Sequence, residues 1–263
     1  MTVPGAPARI TAVTSGKGGV GKTVLTANLA AALAARGQRV LVLDADLGLA
    51  NLDVVLGLAP SHTLHDVVTQ RCTLDDALLP APGGFTVLLA GSGLVEYSRM
   101  TPEVRDRLVE LVRSVAPRFD RVLLDTGAGI SDVVLFTVSL ADDVLMVATP
   151  EPTSMTDAYA TIKVLATQQR RRSMQLVVNQ VQRGGAGRAM RAQLQQVLDR
   201  YVATAIGAPL RLDLLGEVPI DPAVRESVQR RQLMLALLSG VPAAVAVREL
   251  AARLGSERAG EVR

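Results

Sequence analysis

SGKGGVGKT, residues 15–23, directly follows the apolar run ITAV at 10–13 and precedes an Ala- and Leu-rich helical pattern. Gly16, Gly21, Lys22 and Thr23 meet the spacing of a phosphate-binding loop: glycine, four residues, then Gly-Lys-Thr. Residues without a Cβ adopt positive φ freely, so a loop containing Gly16, Gly18, Gly19 and Gly21 curls its N–H groups around a polyphosphate. Val20 completes the curl and Val24 lies in the first turn of the following helix, whose positive dipole end points at the same charge. Lys22 is placed to reach the β- and γ-phosphates, and the Thr23 hydroxyl to ligate Mg2+. The loop therefore predicts a nucleoside triphosphate site.

Two further acidic motifs follow strands. DADLGLANLDVVLG, residues 44–57, sets Asp44 and Asp46 at i and i+2, leaving a strand end in the same direction. Mg2+ keeps several of its waters, so Asp44 is assigned to hold the ion through one of them. Asp46 is assigned to orient an attacking water, because phosphoryl transfer needs positioning more than a strong base. RVLLD, residues 121–125, is an apolar strand ending in an acid. Asp125 would hold a water on Mg2+, and TGAG at 126–129 would form a glycine-hinged loop that responds to the γ-phosphate. Asn179 ends the strand MQLVVN; its amide suits an adenine edge, and equally suits a turn. Pro152 with Thr153 or Ser154 reads as a helix start.

Apolar runs near 10–14, 39–44, 85–90, 120–125, 143–149, 174–179 and 213–218 predict strands. Helical patterns at 22–36, 101–116, 130–140, 153–170, 187–202, 222–238 and 242–254 alternate with them. That alternation predicts an α/β fold, a single doubly wound, mostly parallel sheet with helices on both faces. The motifs all fall past strand C-termini, where such sheets bind ligands. Residues 1–8 read as a flexible arm, 9–240 as one domain, and 241–263 as a C-terminal helix and tail. Hydrophobic residues make up 49% of the 263-residue chain and aromatics 2%, so Ala, Val and Leu must build the core. A net charge of +3 permits contact with nucleic acid or anionic lipid without demanding it. The single cysteine, Cys72, excludes an intrachain disulfide and fits a reducing compartment. MTVPGAPAR lacks the apolar core of a signal peptide, and the longest uncharged run, 233–247, is too short to span a bilayer. A cytoplasmic protein is expected, at most peripheral at the inner face of the cell membrane or a cell pole. His62, His65 and Cys72 have no metal-site spacing, and Arg170, Arg171 and Arg172 read as a solvated helix end.

Lys17 makes the loop more specific: a second lysine early in the loop resembles the deviant Walker A motif of the MinD/ParA ATPases. The resemblance implies that Lys17 crosses a dimer interface to the partner's nucleotide, where it neutralises charge as an arginine finger does elsewhere. It implies ATP and Mg2+ as cofactors and an ATP-driven homodimer. DADLGLANLDVVLG, DTGAGIS at 125–131 and EPTSMTDAYATIK at 151–163 look most like the FlhG/FleN branch, a resemblance covering about residues 9–240. From it come Asn51 as a further water-ordering residue, Glu151 at a dimer face, Asn179 on the adenine, and Pro219 as the opposite apolar wall. One cysteine excludes the iron–sulfur relatives, and a tail without tyrosine excludes the tyrosine kinases of this fold. The branch implies control of flagellar number and placement, with an FlhF-like GTPase or a FleQ-like transcriptional activator as partner. MTVPGAPAR carries no DQAxxLR motif, so stimulation of such a GTPase is not carried over. Val247, Leu250 and Leu254 share a helical face that lacks aromatics and mixes charges, which favours packing on the domain over membrane binding. The alternatives are a ParA-like partition protein binding DNA non-specifically as an ATP dimer, and a ligase of the dethiobiotin synthetase type.

Overall fold

The computed structural model describes residues 8–47, 50–91 and 101–256. The arm except Ala8, Gly48 and Leu49 of the acidic stretch, and residues 257–263 lie outside them. The strands are β1 (Arg9–Ser15), β2 (Val40–Ala45), β3 (Leu78–Pro80), β4 (Thr86–Leu88), β5 (Arg121–Ala128), β6 (Asp143–Ala148), β7 (Ser173–Val181) and β8 (Arg211–Pro219). The helices are α1 (Lys22–Ala34), α2 (Leu52–Leu56), α3 (Leu64–Val68), α4 (Leu74–Ala77), α5 (Pro102–Val115), α6 (Asp132–Ser139), α7 (Pro152–Gln168), α8 (Ala186–Leu198), α9 (Thr204–Ile206), α10 (Pro222–Gln229), α11 (Met234–Leu237) and α12 (Pro242–Ser256).

The strands form one sheet in the order β3-β4-β2-β5-β1-β6-β7-β8, parallel except for β3. Winding proceeds from β1 towards β2 and β4 on one side and, after β5, towards β6, β7 and β8 on the other. The reversal at β1 opens a crevice at the strand C-termini, the usual ligand position in such sheets. Each central strand serves two cores because successive side chains point to opposite faces. Val122, Leu124, Val144 and Met146 pack under α5 to α8, whereas Leu123, Leu145 and Val147 pack under α1 and α12. α1 is buried almost all round, and its alanines let neighbours approach closely.

Several expected boundaries move, each for a tertiary reason. β5 runs on through Thr126, Gly127 and Ala128, where the sequence predicts a loop. After an irregularity at Val13/Ser15, Ser15 pairs with Ala128, and the Gly129 N–H donates to the Ser15 carbonyl at 2.8 Å. β7 continues past Asn179 to Val181, with a register shift against β8 and Gln180 in the left-handed region at φ 59°. The expected helix 222–238 is two helices. Arg231 between them has φ 53°, and α11 takes its first-turn cap from Asn28, whose Oδ1 accepts the Leu235 N–H at 3.1 Å. α7 begins at Pro152 with Glu151 in the N-cap position, while the Ser154 hydroxyl accepts the Thr149 N–H at 2.9 Å. Residues 50–80 hold α2, α3, α4 and the antiparallel β3, none of which the periodicity foresaw. These pieces are only three to five residues long, too short to show a period.

Arg171 turns inward rather than to solvent. Its guanidinium donates to the carbonyls of Val138, Ala141 and Asp142, closing the C-terminus of α6. Among the described residues no helix is long and apolar enough to cross a membrane. α12 lies on α1 and β8 with Val247, Leu250 and Leu254 at most 2% exposed. Gly216 of β8 makes room for it: a Cβ there would stand 2.7 Å from Leu250 Cδ2. The buried Arg121 guanidinium donates to the Leu254 carbonyl at 2.8 Å. Leu250→Ala should therefore cost about 2–5 kcal/mol, as buried leucine truncations do. A urea midpoint unchanged from wild type would show that α12 is not part of this core.

Candidate nucleotide and magnesium site

β1 ends in the glycine loop, and α1 starts from Gly21 at φ 88°. A side chain at Gly21 would be strained by that φ, and its Cβ would lie 2.5 Å from Asn179 Nδ2. Gly16 is constrained by contact instead. A Cβ there would stand 2.3 Å from the Asp157 carbonyl, so the loop rests directly on the α7 backbone. Gly18 and Gly19 meet open space, as the inner rim of a phosphate cradle must. Val20 is buried and anchors the loop to the core, and Val24 lines the cavity described below.

Lys22 is 9% exposed and its charge acts on Asp125. Asp125 and Asp44 are register partners on adjacent strands, each 1% exposed. The Thr26 hydroxyl lies 3.2 Å from Asp125 Oδ1, and the Thr23 hydroxyl also bonds that carboxylate. Burial raises the Asp125 carboxyl above its ordinary range, against the opposing pull of Lys22 and both hydroxyls. Burial, followed by the charge of Asp125, pushes Asp44 well above it. Asp44 Oδ1 accepts the Asp46 N–H at 3.2 Å and the Leu52 N–H also acts on the carboxylate, while Oδ2 is buried with no partner at hydrogen-bond distance among the described residues. Two buried carboxylates, one of them with an oxygen unpartnered among the described residues, and a threonine hydroxyl fit a hard divalent cation that keeps some of its waters. Asp46 is half-buried beside Gly127, where a Cβ would stand 3.4 Å from its Oδ1. Its charge reaches both Asp44 and Asp125. Asn51 is exposed at the N-cap position of α2.

Lys17 is separated from this cradle. Its Nζ donates to Glu151 Oε2 at 2.8 Å and Thr153 Oγ1 at 3.1 Å, both at the start of α7. The pair is open to solvent, with the Lys17 side chain 35% and Glu151 61% exposed.

On the other side of the loop, a cavity of about 280 Å3 is lined by Val24, Asn28, Asn179, Pro219, Met234 and Val247 among others. It is largely apolar and large enough for a purine. Asn179 Nδ2 donates to the Val20 carbonyl at 2.8 Å, which leaves its Oδ1 as the amide's acceptor. Gln180 reaches the loop as well, its Nε2 lying 3.4 Å from the Gly19 carbonyl. The structure thus brings Lys22, Thr23, Asp44, Asp46 and Asp125 together, with Asn179 and Pro219 at a contiguous cavity and Lys17 at the rim. Sequence reasoning missed Thr26, Asn28, Gln180 and Asp221. Thr26 was findable, four residues past Lys22 on the same helical face.

Residues 7–255 match the family model described as ParA, NUBPL iron-transfer P-loop NTPase. The antiactivator FleN of Pseudomonas aeruginosa is 40% identical over 250 residues, covering 95% of this chain and 87% of that protein. This chain belongs to the ParA/MinD family of P-loop NTPases. The flagellum site-determining protein YlxH of Helicobacter pylori is 32% identical, covering 85% of this chain and 74% of its own length. The structure of the septum site-determining protein MinD from Pyrococcus horikoshii, complexed with Mg-ADP, superposes with a TM-score of 0.75 at 27% identity. It covers 96% of this chain and 98% of that one. The family is one of ATPases.

A raised folded-state pKa means that the metal-free chain gains stability where Asp44 is protonated and loses it as pH rises through that pKa. Asp44→Asn should raise the metal-free Tm at neutral pH by about 2–4 °C and flatten its pH dependence. The same substitution should weaken Mg2+-dependent ATP binding about tenfold or more. Calorimetry with and without Mg2+ reads both; a metal-free Tm below wild type would contradict the repulsion argument.

Proposed function

We propose that the chain is an ATP-dependent dimerising switch with slow ATPase activity that regulates flagellar number or placement. The observation that carries this reading is the division of labour between the loop lysines. Lys22 lies buried beside Asp125, where a phosphate and its metal would be held, whereas Lys17 stands outside the cradle on the exposed α7 start. A lysine kept at the rim is available to a nucleotide presented by a second copy, and Glu151 holds it until then.

In this reading Gly16, Gly18, Gly19, Val20, Gly21 and Lys22 wrap the phosphates. Thr23, Asp44 and Asp125 hold Mg2+, which would neutralise charge on the phosphates when bound. Asp46, beside Gly127, aligns water with the terminal phosphate. Val24, Asn179 and Pro219 take the adenine. Hydrolysis then depends on the partner's Lys17, so turnover is slow and follows dimerisation. The extent of the match to FleN favours the flagellar branch, and the description of FleN as an antiactivator favours a transcriptional activator of the FleQ type as partner. YlxH supports a role in placing the flagellum, where an FlhF-like GTPase is the partner to test.

Asp46→Ala should bind ATP, fail to turn it over, and accumulate as a dimer in light-scattering chromatography. A variant that stays monomeric with ATP would sink the switch. Lys17→Ala should keep ATP affinity within about twofold of wild type and lose ATP-driven dimerisation. Loss of binding itself would return Lys17 to a role within its own chain.

A further inference from the structure

Two helices that begin 20 residues apart share one capping carboxylate. Asp221 follows Pro219 and Ile220 at the end of β8 and occupies the N-cap of α10. Its Oδ1 accepts the Ala223 N–H at 3.0 Å, the usual local cap. Its Oδ2 accepts the Ala243 N–H at 3.2 Å, in the first turn of α12. First-turn N–H groups have no partner within their own helix, and Ala243 is fully buried, so water cannot replace this acceptor. One side chain therefore sets the position of both helix starts.

Both helices, together with Asp221 itself, line the apolar cavity beside the glycine loop. α10 contributes Val224 and α12 contributes Val247, with Pro219 and Ile220 between them along the wall. α11 adds Met234 and is capped in turn by Asn28 of α1, which also lines the cavity. The wall is thus assembled from separate elements, and hydrogen bonds from Asp221 and Asn28 tie the starts of α10, α11 and α12 into it.

We propose that Asp221 is a positioning residue for the nucleobase: by capping α10 and α12 together it holds Val224 and Val247 at the spacing that accepts a purine. The proposal rests on the reading of this cavity as the base pocket. The same linkage runs in reverse, because a base bound between the two helices steadies both of their N-termini.

The test compares Mg-ATP with inorganic tripolyphosphate, which engages the loop but has no base, on the full chain as wild type, Asp221→Ala and Asp221→Asn. Wild type should prefer Mg-ATP. Asp221→Ala should weaken ATP about fivefold to tenfold and tripolyphosphate by less than about twofold. Asn offers one acceptor oxygen where Asp offers two, so Asp221→Asn should fall between. Equal losses for both ligands would mean a merely structural role and overturn the proposal, as would unchanged ATP affinity. If wild type itself shows no preference for ATP, the base-pocket reading fails and the proposal with it. Hydrogen exchange on wild type tests the linkage without any substitution. ATP should slow exchange at residues 223–224 and 242–247 more than saturating tripolyphosphate does, and equal protection would overturn the linkage.

Discussion

Two carboxylates forced side by side out of water organise this molecule. Asp44 and Asp125 end neighbouring parallel strands in register, and the sheet on one side and α1 on the other exclude solvent from both. Burial holds both carboxyls above their ordinary range, and the charge of Asp125 adds to the shift of Asp44; Lys22 and the hydroxyls of Thr23 and Thr26 oppose the shift at Asp125, and the N–H groups of Asp46 and Leu52 oppose it at Asp44. A fold stabilised by its hydrophobic cores tolerates such a site because the strands carrying it are anchored on both faces. In the proposed reading, this buried pair would attract positive charge and the glycine loop beside it negative charge. Mg2+ with a polyphosphate would satisfy both at once.

The glycine loop also links that centre to the surface. Gly16 touches the α7 backbone at Asp157, the Gly129 N–H bonds to Ser15, and Lys17 reaches the first turn of α7. In the proposed reading, an adjustment of the loop on binding phosphate would reach α7 and the end of β5 through these contacts. The exposed start of α7 would, in the same reading, be where a second copy reads the state of the nucleotide. On the opposite side of the loop, the cavity wall is tied to α12 through Asp221. α12 is an integral part of the domain, its apolar stripe buried against α1 and β8.

The sequence was legible where one chemical requirement dictated several neighbouring residues. The phosphate loop, the acids past the strand ends and the alternation of strands with long helices could all be read in order along the chain. It was less legible where short elements borrow their stability from distant partners. α11 exists because Asn28 caps it across 207 residues of chain, and β3 because β4 offers it an edge. The expected loop at 126–128 is strand because Ser15 pairs with Ala128.

The sequence by itself determined the family, the parallel sheet and the chemistry of the loop, because glycine spacing, strand periodicity and the placement of acids are local properties. Only the tertiary structure decided how those parts relate. It placed Asp44 against Asp125, drew Lys17 to Glu151 and built the apolar cavity from several separate segments. It also folded α12 into the core. Each of those outcomes depends on contacts between residues tens to hundreds of positions apart, and no local pattern encodes such distances.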